Sequence, residues 1–326
     1  MTKPTLTVLT DPMPVGCDLV PETVRRVGRR LKYLVRERSY ASHPRYRGHF
    51  AVTRSLIQGL EQIGADFNYS PSRLSRLADT VVVLAGVDTL QQAIRLKQQG
   101  HIRRLYAGPN IVIFSSDHDS ILASSEVDAV ITPSSYVDDL YIEDNPSLKG
   151  RIFSWPAGVD TTFWTPNPAT KRDRILIFEK QNKGPVGPVE PYADYLRELG
   201  WTVDILRYGS FRHHHYRDLL QQSCLMLGFV TDESQGIAWA EAWAADVPTL
   251  IWRNTSNLHN GRRYSCSTAP YLCDQNGLFF DNLEHFKHQF GQWESRRAQF
   301  VPRAWTLKNM SDEVCAKLLY DRVTSC

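Results

Sequence analysis

Glu233 and Glu241 stand eight positions apart. Between them Ser234-Gln235-Gly236 leads into an apolar run, Ile237-Ala238-Trp239-Ala240-Glu241-Ala242-Trp243-Ala244-Ala245. A helix that is apolar on every face is normally buried. A carboxylate inside it must be hydrogen-bonded or paired, because burying a lone charge forces it to protonate or costs several kcal/mol. The turn before it puts a glycine at a helix N-terminus, where backbone N–H groups and the helix dipole favour an anion. The stretch therefore offers a loop carboxylate, a phosphate cradle and a buried carboxylate two turns further on. That set suits a ligand with hydroxyls at both ends and phosphate in the middle.

Short apolar runs that alternate with helical patterns must position these groups. The first half of the chain predicts strands at 6–9, 66–69, 81–84, 111–114, 129–131 and 152–154, with helices at 51–63, 90–99 and 135–141. The second half predicts strands at 175–178, 203–206, 224–229, 249–252 and 278–280, with helices at 192–199, 216–221, 237–245 and 283–297. Strands alternating with helices imply βαβ units and parallel sheets. Two such sets imply two doubly wound α/β domains, whose ligands bind at the carboxyl ends of the strands and hence in the cleft between them. The turn-rich stretch 155–168 reads as the linker, and the Gly- and Pro-rich stretch 184–191 as a loop after the first strand of the second domain.

A length of 326 residues favours two domains over one. Hydrophobic residues at 42% and charged residues at 22% fit a soluble globular chain. No apolar run reaches the ~20 residues needed to span a bilayer, and the N-terminus lacks a signal-peptide pattern. The six cysteines are scattered without a Cys-x-x-Cys pair, the usage of reduced thiols in a cytoplasmic protein. The net charge is only +3, yet Arg25, Arg26, Arg29, Arg30, Lys32, Arg36, Arg38, Arg45 and Arg47 crowd one stretch. This is either a solvated amphipathic helix or a surface for anionic lipid or a phosphorylated acceptor. No nucleic-acid motif accompanies it.

The segment Glu233-Ser-Gln-Gly-Ile-Ala-Trp-Ala-Glu241, with Val247-Pro248 after it, resembles the Glu-x7-Glu signature of retaining GT-B glycosyltransferases of family 4, the "group 1" set. Trp155-Pro-Ala-Gly-Val-Asp160-Thr-Thr-Phe163-Trp-Thr-Pro166 is similar to that family's linker. Val130-Ile-Thr-Pro-Ser-Ser-Tyr136 and Tyr216-Arg-Asp-Leu-Leu220 also match in order. The resemblance covers residues 130 to 255 well and the flanks loosely. It implies two Rossmann-like domains facing a cleft. Residues 1–157 form an acceptor-side domain, and 158–304 a nucleotide-sugar domain. Residues 305–326 form a C-terminal helix that packs back on the first domain.

The resemblance further implies transfer of a sugar from a nucleotide-diphosphate donor to an acceptor hydroxyl, with the anomeric configuration kept and no metal or other cofactor. Glu241 would bind the ribose hydroxyls and Glu233 the donor sugar. N–H groups at Gln235, Gly236 and Ile237 would hold phosphate, and Lys180 and Lys183 would neutralise the leaving diphosphate. His118 would donate a hydrogen bond to the sugar or leaving group. The donor nucleotide sugar is thus the implied partner, the acceptor is unspecified, and an anionic membrane is a peripheral partner under the second reading of the basic stretch. The sequence departs from the family pattern in Glu179-Lys180-Gln-Asn-Lys183-Gly184, where lysine replaces the bidentate fork of arginine. It also lacks the N-terminal Gly-Gly loop, of which Gly48 before His49 is a remnant on the acceptor side. These departures motivate an alternative, a catalytically inactive binding or scaffold protein with the same fold. Asp117-His118-Asp119 also spells an Asp-x-Asp metal pattern, which the paired-glutamate domain argues against. His213-His214-His215 reads as a solvated loop.

Overall fold

The computed structural model describes residues 3–10, 49–71, 73–180, 187–209 and 211–325, His49 by its backbone alone. The chain divides into two compact units, Met1–Gly158 with Asp312–Cys326, and Val159–Ser311. The basic stretch 25–47, Gly48 and Lys183 lie outside the described residues.

Among the described residues of the first unit six parallel strands form one sheet in the order β2-β1-β3-β4-β5-β6. They are β1 (Leu6–Thr10), β2 (Phe67–Tyr69), β3 (Thr80–Ala85), β4 (Arg104–Asn110), β5 (Ala129–Thr132) and β6 (Ile152–Ser154). β1 and β3 are buried along their whole length, as strands covered on both faces must be. The helix His49–Gln62 packs against the helix Asp312–Thr324. They approach so closely that a Cβ on Gly59 would lie 2.1 Å from the Asp312 carbonyl oxygen. Arg54 grips the buried Asp312 carboxylate with two nitrogens, at 2.6 and 3.2 Å. Trp155 donates its indole N–H to the Cys315 carbonyl at 2.7 Å. The final helix is thus an integral part of the first unit.

Among the described residues of the second unit five parallel strands run in the order β13-β10-β9-β7-β8. They are β7 (Arg174–Lys180), β8 (Thr202–Arg207), β9 (Ser223–Val230), β10 (Thr249–Trp252) and β13 (Gly277–Phe280). Ile175, Ile177, Leu225, Leu227 and Leu250 face an aromatic layer of Phe280, Phe286, Phe290 and Trp293. In chain order this is the doubly wound arrangement 2-1-3-4-5, with its switch point between β7 and β9. The fold class is therefore as expected, α/β with parallel sheets.

Two local expectations fail. Residues 111–114 are a loop and not a strand; the strand there is β4, which ends at Asn110. The Asp117 carboxylate accepts the N–H groups of Phe114 at 2.9 Å and Ile113 at 3.2 Å, so a local turn takes the donors a sheet would need. Gly108-Pro109 inside β4 reads as a breaker, which hid the strand. The three consecutive histidines do not form a loop; they open the helix His213–Gln222, with His213 buried against Trp164. An antiparallel hairpin of β11 (Ser256–His259) and β12 (Arg262–Ser265) also went unforeseen. Its turn, Asn260-Gly261, has positive φ at both positions, the geometry this dipeptide favours between paired strands.

Candidate functional site

Lys180 is the last residue of β7 and stands in register with Val230, the last residue of β9. Glu233 follows three residues later, and its N–H is tied to the Ser267 carbonyl at 2.8 Å. The carboxyl ends of the two strands at the switch point thereby bring Lys180 Nζ within 2.6 Å of Glu233 Oε1. Both side chains are largely sheltered, at 22% and 13% exposure. Burial alone would lower the lysine pKa. The charge of Glu233 and its hydrogen bond outweigh that, with smaller help from Tyr208 and Asp232, and the pKa is raised. The ammonium also lies 4.9 Å from the centre of the Tyr208 ring. The result is a fixed, fully protonated cation at the mouth of the sheet.

The turn after Glu233 is shaped by one tryptophan. Gly236 caps the helix Ile237–Ala244 with φ +83°. A Cβ there would sit 2.3 Å from Trp239 Cδ1. From the other side Gly228 of β9 gives way to the same ring, since a Cβ would lie 2.7 Å from it. Trp239 is fully buried, donates its indole N–H to the Thr268 carbonyl at 2.8 Å and meets Phe178 edge-on at 5.6 Å. Trp243 donates likewise to Thr249 Oγ1 at 3.0 Å. With both indoles satisfied, the helix is locked against β9 and β10. At its far end Arg172 and Arg303 donate to the carbonyls of Asp246 and Ala244, which fits the negative end of a helix dipole.

Glu241 is on this helix, only 6% exposed. Tyr216 lies close enough that the Glu241 charge adds to burial in pushing the phenol pKa well up. The Tyr216 hydroxyl donates to the Ala238 carbonyl at 2.8 Å. Gln235 is buried and Ile237 partly so. Glu233, Gln235, Gly236, Ile237 and Lys180 therefore share one end of one sheet, and Glu241 lies one turn into the helix that starts there.

Further residues, not among those expected from the sequence, frame this end. Asp232 accepts the Tyr264 hydroxyl, which burial and that carboxylate hold well above its ordinary pKa. Asn254 donates to the Thr231 carbonyl at 2.7 Å. The adjacent acids Asp232-Glu233 were a visible signal; Tyr264, on the unforeseen hairpin, had none.

His118 belongs to the first unit. It is exposed, in a turn where His118, Asp119 and Ser120 all have φ near +55°, at 53°, 56° and 56°. The turn is held by Asp144, which accepts Ser116 N–H at 2.7 Å and Ser115 Oγ at 3.0 Å. His49 opens the helix His49–Gln62. Among the described residues no group of three His, Cys, Asp or Glu side chains is arranged to hold a metal ion. No helix among them is long and apolar enough to cross a membrane.

No family model matches the chain, and no curated protein does. Solved structures share its fold. A glycosyltransferase from Rickettsia africae ESF-5 is similar at TM-score 0.57 and 11% identity, over 100% of both chains. The GtfA/B complex is similar at TM-score 0.51 and 14% identity, over 76% of this chain and 58% of that one. Sucrose-phosphate synthase from Thermosynechococcus elongatus is similar at TM-score 0.50 and 10% identity, over 97% of this chain and 98% of that one. The chain spans 52–58% of the length of the longer neighbours. At such identities the likeness concerns the fold alone, and that fold is the pair of Rossmann-like domains of the GT-B glycosyltransferases.

Proposed function

We propose that the protein is a glycosyltransferase that moves a sugar from a nucleotide-diphosphate donor to an acceptor hydroxyl with retention of configuration. The observation that carries this reading is the Lys180–Glu233 pair beside the Gly236 turn, with the buried Glu241 on the same helix. In this reading the Glu241 carboxylate accepts two ribose hydroxyls, the natural donors for a sheltered acid. The N–H groups at Gln235, Gly236 and Ile237 hold phosphate oxygens. The bond from the anomeric carbon to the diphosphate breaks as that carbon bonds to the acceptor oxygen, and the acceptor proton leaves with the diphosphate. Lys180, Lys183 and the helix dipole stabilise the charge left on the diphosphate. Glu233 orients Lys180 and faces the sugar, and His118 donates to the sugar or leaving group.

The positive charge supplied by the chain replaces a metal in this scheme, so activity should survive a chelator. Residues 1–157 serve the acceptor and 158–304 the donor, in a protein of the cytoplasm. The test is to incubate the protein with a panel of sugar nucleotides and follow the anomeric proton by NMR. Release or transfer of one sugar with its configuration kept supports the reading. Inversion contradicts retention, and no turnover of any donor with any common acceptor contradicts the transferase.

A further inference from the structure

The first unit carries a second cationic feature, at the opposite end of its sheet from where doubly wound folds bind ligands. Lys3 and Thr5 precede β1, Asp79 precedes and Thr80 opens β3, and Arg103 precedes and Arg104 opens β4. These three strands are neighbours, and Thr80 stands in register with Leu6 on one side and Arg104 on the other. Together they line a cavity of about 370 Å³. That is within the size range of small-molecule sites, roughly 300–1,000 Å³.

Its charge is not balanced. Lys3 pairs with Asp79 at 3.0 Å. Arg104 donates its Nε to Thr80 Oγ1 at 3.1 Å, while its Nη1 is shielded from solvent and has no hydrogen-bond partner. Among the described residues neither Arg103 nor Arg104 meets a carboxylate. The backbone holds the two in place, since both N–H groups donate to the Asp79 carbonyl, at 2.8 and 2.9 Å. Two guanidinium groups and an ammonium line the cavity with one carboxylate among them, and the chemistry that suits such a set is an oxyanion able to take two N–H groups at once.

We propose that this cavity binds a phosphate group, with Arg103 and Arg104 as its forks and Lys3 at its rim. The phosphate belongs either to a small soluble molecule or to a lipid headgroup. The site is independent of the donor site proposed above, and its test is run on the full chain carrying Lys180→Ala and Glu241→Ala, so that the second unit does not contribute.

Soluble phosphate is probed with inorganic pyrophosphate and glycerol phosphate by thermal shift and titration calorimetry. Lipid phosphate is probed by sedimentation with phosphatidylcholine vesicles, with and without phosphatidylglycerol. Binding in either arm that weakens about tenfold in Arg103→Gln and in Arg104→Gln supports the site, since losing one charge-assisted hydrogen bond is of that order. Arg103 is exposed, so its variant keeps the test valid if Arg104→Gln fails to fold. Binding in both arms with the same strength in wild type and Arg103→Gln would overturn the proposal, as would no binding in either. A response confined to the soluble or the vesicle arm names the source.

Discussion

At the scale of residues, the pairing that matters most was the least legible. Lys180 and Glu233 are 53 positions apart. Only the order of strands β7 and β9 makes them neighbours, so the sequence showed two candidates without showing that they touch. Glu241 was legible for the opposite reason: an acid in an alanine and tryptophan run carries its own contradiction. The pair has a pH consequence. Lys180 holds its proton more tightly in the fold than in the unfolded chain, so its contribution to stability is full below the ordinary lysine range. That contribution is lost as pH rises through the raised value. Lys180→Met should therefore cost about 1–3 kcal/mol at neutral pH. Chemical denaturation of both proteins should show this deficit narrowing only at strongly alkaline pH. A deficit that closes near pH 8 would be incompatible with a raised lysine.

At the scale of elements, strands with an apolar run, such as β3 and the Ile175–Phe178 stretch of β7, were readable because burial on both faces makes successive residues apolar. β4 was not, because Gly108-Pro109 imitates a turn, and the tertiary pairing of β3 with β4 overrides that local signal. The hairpin β11–β12 has few apolar residues, and its Asn260-Gly261 was a turn signal passed over. The Gly236 turn makes a sharper demand. Gly236→Ala adds a left-handed penalty and a clash with a buried ring, about 2–4 kcal/mol together. Thermal melts should show a drop of several degrees, and the same variant should bind nucleotide diphosphate more weakly. An alanine variant as stable as wild type would mean that Trp239 does not sit where the turn requires.

At the scale of the whole molecule, the chain leaves its first unit at Gly158 and returns to it at Asp312. The last helix brings the Asp312 carboxylate to Arg54, at side-chain exposures of 3% and 8%. Arg54→Met takes the arginine fork away from that carboxylate and should destabilise the first unit by about 3–5 kcal/mol. Denaturant melts read this directly, and replacing Asp312 by leucine in the same chain should recover much of it. Ending the chain at Ser311 should speed amide exchange across the helix His49–Gln62 while β7, β9 and β10 stay protected. Equal protection in the shortened chain would refute the place given to the last helix.

The proposed function depends on the second unit holding a nucleotide diphosphate through Lys180 and Glu241. The measurement that tests it most directly is a thermal-shift panel of nucleoside diphosphates and their sugar conjugates, on wild type and Glu241→Ala, since a ligand of the folded state raises its melting temperature by mass action. A rise with one nucleotide class is expected, and Glu241→Ala should abolish it. An equal rise in the variant, or no rise with any nucleotide, would contradict it.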